Sequence, residues 1–326
     1  MKPAFSVLFL TTLIGAGQGM LVALVTGQFY FVIGAGAGRE GGTFYAVGSL
    51  VALAFLGLGL FASFFHLANP QRAWRSAAKW RTSWLAREVL LLPAVIGAAV
   101  LYGGLHALGW NPVVLTFSNG KDLELTMAVG FLAVGAALLL FICTGMIYAC
   151  VRFIREWASS WTVINYSLMG LASGFTLAAA YAAVMDSPLR DFLVGDAVTL
   201  TLLALATRAV QVWRNGRLRP RSTLKSAIGV HHDRIRQISQ GFMGQSFNTT
   251  EFVAPGGPEA VKGLTVFFML AGFALPALLL AAGWRGGEPI LLATAFLSQY
   301  LGLLAERWVF FASGRHVQNL YYQGRG

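Results

Sequence analysis

The chain has 326 residues, of which 56% are hydrophobic and only 11% charged, and its formal net charge is +11. Soluble domains carry about 25% charged residues, so this composition excludes a water-soluble globular protein and calls for a bilayer as solvent. Topology and anionic lipid account for the positive charge, and no nucleic-acid partner is expected.

A helix needs roughly 20 apolar residues to cross the hydrocarbon core. The sequence offers eight such stretches, near 5–30, 44–67, 85–108, 125–149, 162–185, 193–213, 263–283 and 289–312. The expected fold class is therefore all-α, a polytopic membrane protein with eight transmembrane helices. Strand alternation is absent, which disfavours an outer-membrane barrel. The first stretch follows Lys2, outruns a signal-peptide core and lacks an A-x-A cleavage site, so it is expected to be a retained helix.

Basic residues in alternate loops set the orientation. Of 24 Lys and Arg, one connection set holds only Arg39, Lys121, Arg190 and Arg285, leaving twenty for the other side: seventeen in loops 68–83, 150–160 and 214–262 and at the termini, and Arg87, Arg208 and Arg307 within spans. Those loops and both termini are predicted to be cytoplasmic, which suits a bacterial inner membrane. Seven of nine Trp (Trp74, Trp80, Trp84, Trp157, Trp161, Trp213 and Trp308) fall near the same boundary, where an amphipathic ring fits the headgroup layer.

Cys143 and Cys150 sit seven residues apart on one predicted helix, about 10 Å along its axis, too far for a disulfide. Two thiols fall short of the roughly four that an iron–sulfur cluster needs. His66 and His106 close spans at opposite faces, so no bis-histidine haem is expected. His231-His232 lacks the companion ligands of a metal site. Any electrons that pass must come from metal centres in another subunit. Loop 214–262 is basic at first, then polar and Gly/Pro-containing, and too short to form a core of its own, which marks it as a cytoplasmic partner-docking segment. The alternative is a solvated linker with a lipid-facing basic start.

Polar groups inside spans carry the functional signal, because an ionised one costs roughly 2.5–3.5 kcal/mol at a helix centre on insertion scales unless it pairs or faces a cavity. Gln18, His66, Glu88, Asp196, Arg208, Glu306 and Arg307 are the candidates. His66 closes the second span and Glu88 opens the third, so the hairpin through 68–83 brings both to one depth, with Arg72, Arg75 and Arg87 nearby. Imidazole titrates near neutrality and apolar surroundings disfavour a carboxylate's charge, so both are expected to exchange protons near pH 7. A lipid-soluble quinone needs such chemistry: hydrogen bonds at its ring carbonyls and a path for two protons. The expected quinone-binding set is His66, Glu88, Gln18, Arg72 and Arg75, with Glu88 and Arg87 as proton relay. The competing roles are an interfacial anchor for His66, a structural pair with Arg87 or Arg72 for Glu88, and an interhelical hydrogen bond for Gln18 within Gly15-Ala-Gly-Gln-Gly19. Glu306-Arg307 reads as a buried structural ion pair, and Asp196 as an interfacial charge.

The run Phe65-His66-Leu67-Ala68-Asn69-Pro70-Gln71-Arg72-Ala73-Trp74, followed by Arg87-Glu88, resembles the H-L-x-x-P-x-R-A segment and following Glu of the dimethyl sulfoxide reductase anchor-subunit family. Gly17-Gln18, the stretch Trp157 to Gly170 and the eight-span layout extend the likeness. The resemblance implies a single membrane anchor domain over 1–326 that binds no haem or metal and exchanges electrons with ubiquinone or menaquinone. Its implied partners are a four-cluster iron–sulfur subunit and a molybdopterin catalytic subunit. The family's quinol-binding His and Glu match His66 and Glu88. The long loop with Ser239-Gln-Gly-Phe-Met-Gly and Phe247-Asn-Thr, and the tail from Glu306 to Tyr322, are similar to the anchor of cytoplasm-facing sulfite dehydrogenase. Lys79, Arg81, Phe242 and Phe247 are the expected docking residues. The alternatives are a menaquinol-oxidising dimethyl sulfoxide reductase-like anchor, a secondary transporter, for which no internal repeat is found, and a lipid-directed enzyme, for which no nucleophile motif is found.

Overall fold

The computed structural model describes residues 2–35, 38, 40–67, 69–116, 122–219, 222–235, 256–285 and 288–317. Eight of its helices are long and apolar enough to cross a membrane: Phe5–Val32, Gly42–His66, Trp84–Leu108, Leu125–Ala149, Ser160–Val184, Arg190–Gly216, Gly257–Gly283 and Pro289–Ala312. They correspond one for one with the expected stretches. The largest differences in extent lie in the sixth and seventh spans. The sixth runs on through polar Arg214 and Asn215, and the seventh begins six residues early, where Gly256 takes a left-handed φ of 80° and Pro258 stands in the first turn. Proline fits there because a first-turn N–H has no intrahelical acceptor to lose.

Two connections hold unforeseen structure. Residues Pro70–Lys79 form a 3-10 helix with nothing buried. Val113–Thr116 and Asp122–Glu124 pair as a two-stranded antiparallel hairpin between the third and fourth spans. The hairpin leaves the membrane-spanning part entirely helical.

The first and fifth helices are the most enclosed, and the remaining six show apolar side chains such as Leu50, Leu132, Leu202, Leu278 and Leu297 on their outer faces. In lipid, apolar side chains gain little by leaving the solvent, so close packing must join the helices. Glycine supplies it. A Cβ on Gly174 would lie 2.1 Å from the carbonyl carbon of Gly19, and one on Gly19 would lie 2.3 Å from the oxygen of Gly170. The seventh and eighth helices meet the same way, where a Cβ on Gly302 would lie 2.2 Å from Gly272. There the seventh helix widens into a π turn at Leu270–Ala274, just before Pro276, and Ser298 Oγ of the eighth donates to Ala271 O at 2.8 Å. Proline cannot donate to the preceding turn, so a neighbour's hydroxyl makes good part of the lost bonding.

Substituting Val for Gly174 is expected to destabilise the bundle by at least about 3 kcal/mol, since neither helix backbone can yield. Gly57→Ala, whose Cβ would meet nothing within 4 Å, is the matched control and should be neutral or better. Thermal unfolding in detergent separates the two.

Candidate functional site at the terminal end of the bundle

The helices' alternation places the start of the first helix, the end of the eighth, His66, the 3-10 segment and Glu88 at one end. At His66 the second helix tightens into a 3-10 turn, and the imidazole is exposed with no hydrogen bond to any described residue. Phe61, Phe64, Phe65, Trp74 and Trp80 are exposed around this connection, forming an apolar shelf studded with Arg72, Arg75, Lys79 and Arg81. Arg75 and Arg81 lie over the rings of Trp74 and Trp80, at 5.6 and 5.4 Å. Cations held on indoles in this way stay at a membrane or partner surface.

Arg87 ties this segment to the third helix. Its Nε donates to Trp80 O at 2.9 Å, its Nη2 to Arg81 O at 2.8 Å, and its guanidinium stacks 4.2 Å from the Trp84 ring. Ser83 caps the helix by accepting from Ala86 N. Arg87 is thus engaged with backbone carbonyls and does not pair with Glu88.

Glu88 turns inward. Thr144 Oγ1, on the fourth helix, donates to its Oε1 at 2.6 Å, and Tyr148 and Tyr166 stand within electrostatic reach of its carboxyl group and of Arg307. His66 and Glu88 therefore share an end of the bundle without a direct hydrogen bond, one facing outward and the other facing the polar interior. Gln18 lies deeper, fully buried, and neither amide atom meets a partner among the described residues.

Beside Glu88 lies a network that the sequence shows only in part. Glu306 is fully buried and shared by two arginines, with Arg208 Nη2 at 2.7 Å and Arg307 Nε at 2.6 Å. The expected Glu306–Arg307 pair is present, and Arg208 of the sixth helix completes a triad. Arg208 Nη1 donates to Gln211 Oε1 at 2.7 Å, which also accepts from Asn165 at 2.9 Å, while Gln211 donates to Thr162 at 3.2 Å. One carboxylate between two guanidiniums gives the triad itself one more positive than negative charge.

At the opposite end, a cavity of about 650 Å³ is lined by groups including Gln28, Glu40, Tyr45, His106, Asn111 and Glu124. His106 stacks on Tyr45 at 4.6 Å, and Tyr102 donates to Gln28 at 2.8 Å. Asp196 also lies toward this end, taking the Tyr30 hydroxyl at 2.8 Å, a partner that an interfacial charge did not require. No group of three metal-ligating side chains occurs among the described residues. Phe242 and Phe247 lie outside the described residues.

The family model described as DMSO reductase anchor subunit (DmsC) matches residues 1–313. The C subunit of sulfite dehydrogenase from Allochromatium vinosum is 48% identical over 323 residues, covering 99% of this chain and 99% of that relative. A full-length match to an anchor family, on eight helices that converge polar groups at one end, leads to one conclusion: this chain belongs to the DMSO reductase anchor subunit (DmsC) family.

Proposed function

We propose that this chain is the membrane anchor and quinone-reactive subunit of a sulfite-oxidising complex. A molybdopterin subunit would oxidise sulfite and a four-cluster iron–sulfur subunit would relay the electrons. Both would dock on the cytoplasmic face of a bacterial inner membrane, at the end that carries His66 and Glu88. The kinship with the C subunit of sulfite dehydrogenase supports the substrate, and the excess of Lys and Arg in loops on that side supports the orientation.

The observation that carries the quinone reading is the split environment of the two titratable side chains. Exposed on an apolar shelf, His66 is placed to hydrogen-bond a ring carbonyl arriving from the lipid. Glu88, held by Thr144, is placed to pass the proton that a reduced ring takes up. Reduction to the quinol consumes two electrons and two protons. Arg72 and Arg75 supply positive charge beside the carbonyl, and Arg87, which holds the turn next to Glu88, would complete the proton relay. Gln18, whose amide atoms meet no partner among the described residues, would serve a ligand that penetrates deeper. Lys79 and Arg81, with Phe242 and Phe247 in the long loop, form the docking set.

His66→Ala should lower sulfite-to-quinone turnover about 10²-fold while sulfite oxidation with an artificial dye persists, because only the hydrogen bond to the ring is lost. Equal loss of both activities would assign His66 to assembly. Glu88→Gln should abolish the pH dependence of quinone reduction in steady-state assays at constant dye activity. An unchanged profile removes it from the proton path. Reversing Lys79 and Arg81 to Glu, or deleting 230–250, should release the partner subunits on size-exclusion chromatography. Recovery of the intact complex would refute the docking assignment.

A further inference from the structure

Among the described residues, the terminal nitrogens of Arg307 make no hydrogen bond, and its guanidinium lies over the Tyr166 and Phe310 rings at 5.6 and 4.8 Å. The residue is 4% exposed, and among the described residues its one hydrogen bond runs from Nε to Glu306. Arg307 lines a cavity of about 20 Å³ formed with Thr11, Thr12, Gly15, Tyr166 and Ser173, between the first, fifth and eighth helices. A cavity of at least about 10–15 Å³ holds one water-sized particle, provided that polar groups face it. Charge selects among such particles. Glu306 is shared with Arg208, so the triad carries one more positive than negative charge at a depth where an unbalanced charge is costly. The next carboxyl group, Glu88, is bonded to Thr144, beyond hydrogen-bond reach of Arg307.

We infer that this cavity is a binding site for a single halide-sized monovalent anion, held by the Arg307 guanidinium and balancing the Arg208–Glu306–Arg307 triad. The site is independent of the quinone reading, since it needs neither His66 nor electron transfer. Room for one water-sized particle suits a single halide-sized ion. Its occupant is therefore a structural ion. It also sets the field felt by Tyr166 and Glu88, because Tyr166 is a wall of the cavity and lies close to both.

The test uses the purified complex in gluconate buffer, titrated with chloride or bromide at constant ionic strength. The wild type should show a saturable rise in unfolding midpoint of about 2 °C or more, as linkage requires of a ligand that binds only the folded state. Arg307→Gln should lose the response and Arg307→Lys should retain part of it. Should Arg307→Gln fail to fold, Gly15→Ala serves instead. Its added methyl would lie 3.5 Å from Gly170 Cα, an ordinary contact, yet it would fill the cavity and remove the halide response. Diffraction from bromide-grown crystals should show an anomalous peak beside Arg307. A halide response equal in wild type and both variants, no response in wild type, or density without anomalous signal, which marks an ordered water, would overturn the assignment.

Discussion

The approach of Gly19 to Gly174 is the contact on which the architecture turns. It brings two helix backbones together with no side chain between them, which makes the first and fifth helices a common axis. The other helices then need only one inward face each, and their outward faces are free to be as apolar as lipid requires. The same constraint fixes the polar groups. With the axis set, the opening turns of the third helix, the end of the fourth, the start of the fifth and the end of the eighth gather at one end, and Glu88, Thr144, Tyr166 and Arg307 meet there.

That end is electrostatically uneven in a useful way. Its rim is basic and aromatic, with guanidiniums resting on indoles, and its interior holds two carboxyl groups and two arginines among tyrosines and amides. A charged rim recruits anionic lipid or a partner through long-range attraction. A buried set instead works at short range, in surroundings where each charge is felt strongly. The two layers answer different needs, and the third helix, starting at Trp84, passes from one to the other within a single turn.

The span count is legible in the sequence because hydrocarbon thickness leaves little freedom in helix length. Helix extents at Gly257 and Gly216 are not, since both ends fall where the apolar run has given way to polar residues and hydropathy no longer marks the helix. Individual polar residues are equally visible, because each stands out against an apolar run. Their partners are not. Glu306-Arg307 are adjacent and invite a pairwise reading, whereas Arg208 joins them from almost a hundred residues away, and Thr144 resembles many hydroxyls that bond only their own helix. Arg87 next to Glu88 suggests an ion pair. Helix geometry points consecutive side chains about 100° apart, and the backbone carbonyls of the preceding turn claim the arginine instead. The cavity at the opposite end of the bundle leaves no trace in the sequence because its walls come from segments far apart along the chain.

The grip of Arg87 on Trp80 and Arg81 has a mechanical side. It stitches the exposed 3-10 segment to the opening turn of the third helix, one residue from Glu88. Pushing or pulling on that segment from outside would turn the start of the helix like a lever, so whatever presses against the rim also tilts the carboxyl group behind it.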